Sequence, residues 1–376
     1  VTIAAPRAAI AVNSNSRHTM RPSALVVGIF VTAFVSACAL LGQWLPFPEV
    51  GIVKGKIEHL ARHGDEYDLI FLGSSRVHEQ IIPAIFDQVA TSNGTPVKSF
   101  NAGIVGMRSP EDGYVLKEIL SRPHRRLRWV FLEISRLDTQ VWEGHTARFG
   151  YWHDGTRLVL VARGLCNEAL AGQSRLQRER KATFSARWSI WSTMLRGLSA
   201  HAYQWLIRGI NLSRGSDVLS RLLRLPGFHF DVGKELGTRG DGWYPAPSQI
   251  QEMPAKFRAD YDRSYADRLA SPATKDRGDS VSQSALERMM SAVTEAGARP
   301  VIIIPPTTFE GNFYPTADRE REWTILDYSD VRQYADLFVR EHRRDRGHLN
   351  TAGAEIFTQI LARRFAELAK ARTQAH

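Results

Sequence analysis

Two serines near one end of the chain, and an aspartate and a histidine near the other, are the residues whose types and spacing could do covalent chemistry. Ser74 and Ser75 lie in Tyr67-Asp-Leu-Ile-Phe-Leu-Gly-Ser-Ser-Arg-Val-His78. Asp345 and His348 lie in Asp345-Arg-Gly-His-Leu-Asn-Thr-Ala-Gly-Ala354. A serine hydroxyl attacks a carbonyl only when a base removes its proton. An aspartate three residues before a histidine can hold one ring nitrogen and leave the other to act as that base. The plainer alternative is that Ser74 and Ser75 make a turn and cap a helix. Taken alone, each motif leaves both readings open.

Asp68 to Leu72 is a short apolar run of the kind that forms a buried parallel strand. It stops at Gly73, and a helical spacing of Val77, Ile81, Ile82, Ile85 and Phe86 predicts a helix over 77–90. A strand that breaks at glycine into a helix places the intervening side chains at the carboxyl edge of a sheet, where open α/β folds bind ligands. The first free N–H groups of that helix favour a developing negative charge. Further βα alternation follows: strand 97–101, helix 110–121 and strand 129–134. After a long interval come a helix at 282–297, a strand at 300–305, a loop and a helix near 328–343. A C-terminal helix carries Ile356, Phe357, Ile360, Leu361, Phe365 and Leu368. The pattern predicts an α/β fold with a parallel sheet.

With Gly73-Ser-Ser75 at one end and Asp345-x-x-His348 at the other, the chain resembles the SGNH (GDSL-like) hydrolase and acyltransferase superfamily. The D-x-x-H-L-N-x-x-G-A run is similar to that of its bacterial cell-envelope members. The resemblance covers about residues 65–137 and 285–370. It implies a three-layer α/β/α, flavodoxin-like arrangement, with Ser75 as nucleophile, His348 as base and Asp345 as its partner. Ser74 replaces the family's usual aspartate. Phe100-Asn-Ala-Gly-Ile-Val-Gly106 resembles the second family block, which makes Gly106 an oxyanion donor through its N–H alongside that of Ser75. The third block departs: Ser135-Arg-Leu-Asp138 stands where the family has G-x-N-D, and Leu137 falls at the asparagine position. Arg136 or Arg108 is the candidate substitute. Loss of one such donor typically costs about 10²–10³ in rate.

The 376 residues carry 49 Lys+Arg against 39 Asp+Glu, a net charge of +10. That balance suits anionic surroundings such as lipid headgroups, acidic glycans or nucleic acid. Cys38 and Cys166 are the two cysteines, and no Cys/His cluster has zinc spacing; no phosphate-binding glycine loop is present either. Residues 1–23 are small, polar and basic, and Ala24 to Leu45 is apolar almost throughout. A basic flank before about 20 apolar residues predicts a single-pass anchor with the chain after it outside the cytoplasm. From Met20 the segment resembles a signal peptide, with Val35-Ser-Ala-Cys38 similar to a lipoprotein cleavage box. The apolar residues after Cys38 favour an uncleaved anchor.

The expected organisation is therefore a basic tail (1–23), an anchor (24–45), a first core half (46–138), an inserted cap (139–280) and a second core half (281–376). The insertion holds 21 Lys+Arg against 14 Asp+Glu and six of the nine tryptophans: Trp142, Trp152, Trp188, Trp191, Trp205 and Trp243. Helical spacing shows around Trp188, Trp191 and Leu195, at Tyr203–Leu212 and at Val218–Leu225, while 226–279 shows none. These aromatics could stack on sugar rings or pack a small helical subdomain. Together with the resemblance, the residues imply a serine esterase or O-acyl (acetyl) transferase of the bacterial inner membrane. Its active domain would be periplasmic, acting on an envelope polysaccharide or acyl ester beside a membrane-bound O-acyltransferase. No cofactor, metal or nucleic acid is called for. A lipase or thioesterase, and a catalytically weak partner in an O-acylation complex, remain the alternatives.

Overall fold

The computed structural model describes residues 21–45, 47–48, 50–140, 147–211, 214, 236–246, 254–271, 274–309 and 311–373. Five strands form one parallel sheet: β1 (Leu69–Leu72), β2 (Ser99–Asn101), β3 (Trp129–Glu133), β5 (Arg299–Ile304) and β7 (Ile325–Asp327). Their spatial order is β2-β1-β3-β5-β7. In register, Phe71 pairs with Asn101 on one side and Phe131 on the other, and Leu132 pairs with Ile302. Two residues each make a separate small pair, β4 (Lys275–Asp276) with β6 (Asn312–Phe313).

Side chains alternate between the faces of the sheet, and both faces are covered. Ile70, Leu72, Val130, Leu132, Ile302 and Ile304 pack in one cluster with residues of α2 (Gly51–His63), α5 (Glu111–Leu120) and the helix Ser280–Glu295. Leu69, Phe71, Phe131, Val301 and Ile303 pack in the other with α3 (Ser75–Gln80), α4 (Pro83–Ser92) and the C-terminal helix Thr351–Thr373. Burial on both faces is why these strands read as unbroken apolar runs. Phe357, Leu361 and Phe365 of the last helix are fully buried, each worth about 1.5–3 kcal/mol. Helices on both faces of a parallel sheet are compatible with three layers.

The chain reverses its strand order between β1 and β3, so a crevice opens beyond their carboxyl ends. The turn that follows β1 and the loop that follows β3 both enter it. Lys56 of α2 braces this edge from beneath. Its buried Nζ donates to the carbonyls of Gly103 (2.6 Å) and Gly242 (2.7 Å) and lies 3.1 Å from His78 Nδ1. Burial, then the neighbouring ammonium, pushes His78 down to about 2, so that ring stays neutral and can accept from the lysine.

Several expectations are corrected. The single helix over 77–90 is two, broken at Ile81-Ile82 because Pro83 disfavours helical backbone before it. The Ile82 N–H is satisfied by Thr358 Oγ1 at 3.1 Å instead. The helix expected near 328–343 is a run of turns with two short 3-10 segments, Ala335–Leu337 and Arg340–His342. There Asp327 accepts from the Ser329 N–H, and Asp330 from the Arg332 and Gln333 N–H groups. Such local bonds compete with a helix. The loop ahead of it contains β7, and the aperiodic 226–279 contains the helix Ala255–Ala270.

In the inserted region the short α6 (Ala147–Gly150) comes first, and α7 (Gly155–Arg178) and α8 (Phe184–Gly209) form a helical hairpin. Trp142 and the helical spacing at Val218–Leu225 lie outside the described residues. A helix, α1 (Arg21–Trp44), occupies the expected anchor, with exposed side chains at Leu25, Val26, Val27, Ile29 and Phe30. Among the described residues no helix is long and apolar enough to cross a membrane. The span expected at Ala24–Leu45 includes side chains beyond them.

Candidate active site

β1 delivers Gly73 to the carboxyl edge, and α3 begins at Ser75. As the first residue of that helix, Ser75 has an N–H with no intrahelical acceptor. Its hydroxyl oxygen lies 2.7 Å from His348 Nε2. His348 Nδ1 lies 2.9 and 3.0 Å from the two Asp345 oxygens. Residues 273 positions apart thus form one hydrogen-bonded relay. Asp345 Oδ1 also accepts from the Gly347 N–H (2.7 Å) and the His348 N–H (2.9 Å). Burial alone would raise the Asp345 carboxyl, but the imidazole and these two N–H groups hold it at about 2. The carboxylate is therefore charged at neutral pH and fixes Nδ1 as the protonated nitrogen, leaving Nε2 to accept from Ser75.

The loop carrying the aspartate is pinned by Arg343, which has no exposed surface. Its guanidinium donates to the carbonyls of Pro306 (3.1 Å), Asp345 (3.1 Å) and Arg346 (2.8 Å). Burial lowers it to about 10, which keeps it cationic. Asn350 caps the helix that follows, accepting from the Gly353 N–H at 3.0 Å. The caps and ties explain why the D-x-x-H-L-N run has this sequence.

Ser74 points elsewhere. Its hydroxyl accepts from the Arg76 N–H at 3.3 Å as the helix N-cap. It donates to Glu133 at the end of β3 (2.9 Å), and the Ser74 N–H donates to Glu133 Oε2 (2.7 Å). Arg76 completes the set with an ion pair to Glu133 Oε1 at 2.6 Å. Glu133 is buried, and its carboxylate ties the turn that carries Ser75 to the neighbouring strand. The sequence reading missed it. The signal was a lone acidic residue in the otherwise apolar Trp129-Val-Phe-Leu-Glu-Ile134 run, since a buried carboxylate needs partners.

These groups line a cleft of about 730 Å³ that also takes in Gly106, Arg108, Asp112, Ser135, Arg136, Leu137, Thr139 and Glu168. Its large apolar side chains are Met107, Leu137 and Phe309. No model of a known protein family matches the chain, and no curated protein matches it. Gly106 sits in the wall of the cleft with a φ of +73°, a conformation that favours glycine, and no atom would meet a side chain there. Arg136 lines the cleft with its guanidinium paired to Asp279 (3.5 Å) and near Asp276 (4.0 Å). Arg108 pairs with Asp138 at 3.0 Å. Leu137 is buried and its N–H donates to Ser282 Oγ at 3.3 Å, so that position offers no side-chain donor.

Asp112 is a second group missed from sequence. It is buried in the cleft wall at the start of α5, where its Oδ1 accepts the Gly113 N–H at 2.6 Å. Burial raises its carboxyl to about 7. Among the described residues no group of three or more His, Cys, Asp or Glu side chains is placed to hold a metal ion.

Proposed function

We propose that the chain is a serine-dependent O-acyl transferase or esterase of the SGNH type, anchored by α1 at a bacterial inner membrane and acting on an envelope polysaccharide. The observation that carries this reading is the Ser75–His348–Asp345 relay, at 2.7 and 2.9 Å, on the carboxyl edge of the sheet. Ser75 Oγ attacks the carbonyl carbon of an acyl donor while its proton passes to His348 Nε2. The tetrahedral oxyanion takes hydrogen bonds from the N–H groups of Ser75 and Gly106. Its collapse expels the donor's alcohol or thiol, which leaves with the proton held by His348. A sugar hydroxyl, or water, then attacks the acyl-serine, again giving its proton to His348, and Ser75 is restored with its proton.

The charged and amide side chains in the cleft suit a hydroxyl-rich glycan. Arg76, Arg108, Asp138, Gln140 and Glu168 face the cleft, against three large apolar side chains. Hydroxyl-rich substrates need convergent polar groups of this kind. A second reading, a catalytically weak partner in an O-acylation complex, draws on Leu137, which supplies no donor where the family has asparagine. Mass spectrometry of the surface glycan tests the choice. Cells with Ser75→Ala should lose a defined O-acyl group that the wild-type chain restores. An unchanged glycan in those cells would sink the enzyme reading.

A further inference from the structure

The helix α8 has three faces, and among the described residues one of them has no partner. Ile190, Gly197 and His201 turn inward, Ile190 against Gly172 and Gly197 against Leu165 of α7. Phe184, Trp188, Trp191, Leu195 and Leu206 are exposed, Phe184 by 84% and Trp188 by 59%. At about 100° per residue these five fall within about 40° of one line along the helix, roughly 120° from the inward face. Ser185, Ser189, Arg196 and the half-exposed Tyr203 lie on the remaining side. Charge is as uneven as hydrophobicity. The hairpin 155–209 carries nine Lys+Arg and two Asp+Glu, and its tip exposes Arg175, Arg178, Arg180, Lys181 and Arg187.

We propose that the α7–α8 hairpin lies on an anionic lipid surface, with the Phe184–Trp188–Trp191–Leu195 stripe inserted among the headgroups and the basic tip on the lipid phosphates. An aromatic and leucine stripe beside a strongly basic surface is the composition of an interfacial helix, and nine positive charges favour an anionic occupant. The end of α8 is also fastened to α1. Asn211, which ends the helix in a left-handed conformation (φ 51°), donates from Nδ2 to the Cys38 carbonyl at 2.6 Å. Cys38 lies six residues before the end of α1, or about 9 Å at 1.5 Å per residue. An α1 that spans the bilayer therefore holds the end of α8 within about 9 Å of its own exported end, close to the membrane surface. The placement rests on the membrane location proposed above, and it sets the cleft, whose wall includes Glu168 of α7, beside the membrane surface.

The test places a nitroxide on the full chain in vesicles of phosphatidylcholine with phosphatidylglycerol. One variant carries Trp188→Cys and a control carries Ser189→Cys, both with Cys38→Ser and Cys166→Ser. The label at 188 should be accessible to oxygen and shielded from an aqueous nickel complex, while the label at 189 stays open to nickel. Leaving out phosphatidylglycerol should expose 188. Replacing Arg178 and Arg180 by glutamine should shift the shielded-to-exposed ratio about fivefold per charge. Equal nickel access at 188 and 189 in the anionic vesicles would overturn the proposal. So would dipolar broadening between labels at 188, which would assign the stripe to a second copy of the chain. Carbonate extraction of the same vesicles reports on α1 separately. Release of the chain, with 188 shielded beforehand, would remove the anchor and leave the hairpin surface standing.

Discussion

Replacing Glu133 with glutamine should loosen the turn that carries Ser75 without touching Ser75, His348 or Asp345. The carboxylate accepts from the Ser74 N–H, the Ser74 hydroxyl and the Arg76 guanidinium, at 2.7, 2.9 and 2.6 Å. Glutamine keeps one oxygen and presents an amide NH2 where the second oxygen stood. Its oxygen can serve Ser74 or Arg76 but not both, and the NH2 then meets a donor. Each hydrogen bond to a charged group contributes about 1.5–3 kcal/mol, and breaking a buried pair costs about 3–5 kcal/mol. Arg76 retains some access to water, so a loss of about 3 kcal/mol is expected. Urea unfolding should show it as a lower midpoint at unchanged slope. Ser74→Ala, which removes the helix cap and the hydroxyl's donation to Glu133, should cost about 2–3 kcal/mol. Labelling of Ser75 by a fluorophosphonate should slow more in Glu133→Gln than in Ser74→Ala, because the turn presenting Ser75 has lost its tie to β3. A Glu133→Gln chain as stable as wild type and labelled at the same rate would refute the reasoning.

Asp345→Asn should leave the fold intact and depress the labelling rate by about 10⁴-fold, since the amide no longer holds Nδ1 protonated or stabilises the imidazolium; near-normal labelling would remove Asp345 from the relay. Asp112 keeps its proton in the folded chain up to about pH 7, whereas the ordinary aspartate value is 3.8. At Asp112 the folded state therefore binds one more proton between about pH 4 and 7, and this group's contribution to stability falls as pH rises through that window, by up to about 4 kcal/mol at 1.36 kcal/mol per unit. Asp112→Asn should flatten that slope in urea unfolding at pH 4.5 and 7.5, and an unchanged slope would assign the pH dependence elsewhere.

The parallel sheet was legible because its strands are buried on both faces and read as apolar runs with abrupt ends. β7 was not, since three residues, Ile325 to Asp327, carry no period long enough to see. Helix boundaries failed where side chains answer to the backbone locally: Pro83 split one helix, and Asp327 and Asp330 replaced another with turns. The Ser75, His348 and Asp345 positions were legible from two short motifs. The groups that hold them were not: Glu133, Arg343 and Lys56 act through burial and through carbonyls or N–H groups far away in sequence. A charged residue that the fold buries looks the same in a sequence as one that it exposes. The helical spacing around Trp188 was visible, but its outward direction depends on which side of α8 meets α7.

The central claim is that Ser75 is activated by His348. Incubating the full chain with a fluorophosphonate and mapping the adduct by mass spectrometry tests it most directly, with a known serine esterase labelled alongside as control. The account predicts a single phosphonyl group on Ser75 in wild type, none in Ser75→Ala, and strong loss in His348→Ala. A labelled control with an unlabelled wild-type chain, or an adduct on Ser74 that survives Ser75→Ala, would contradict it.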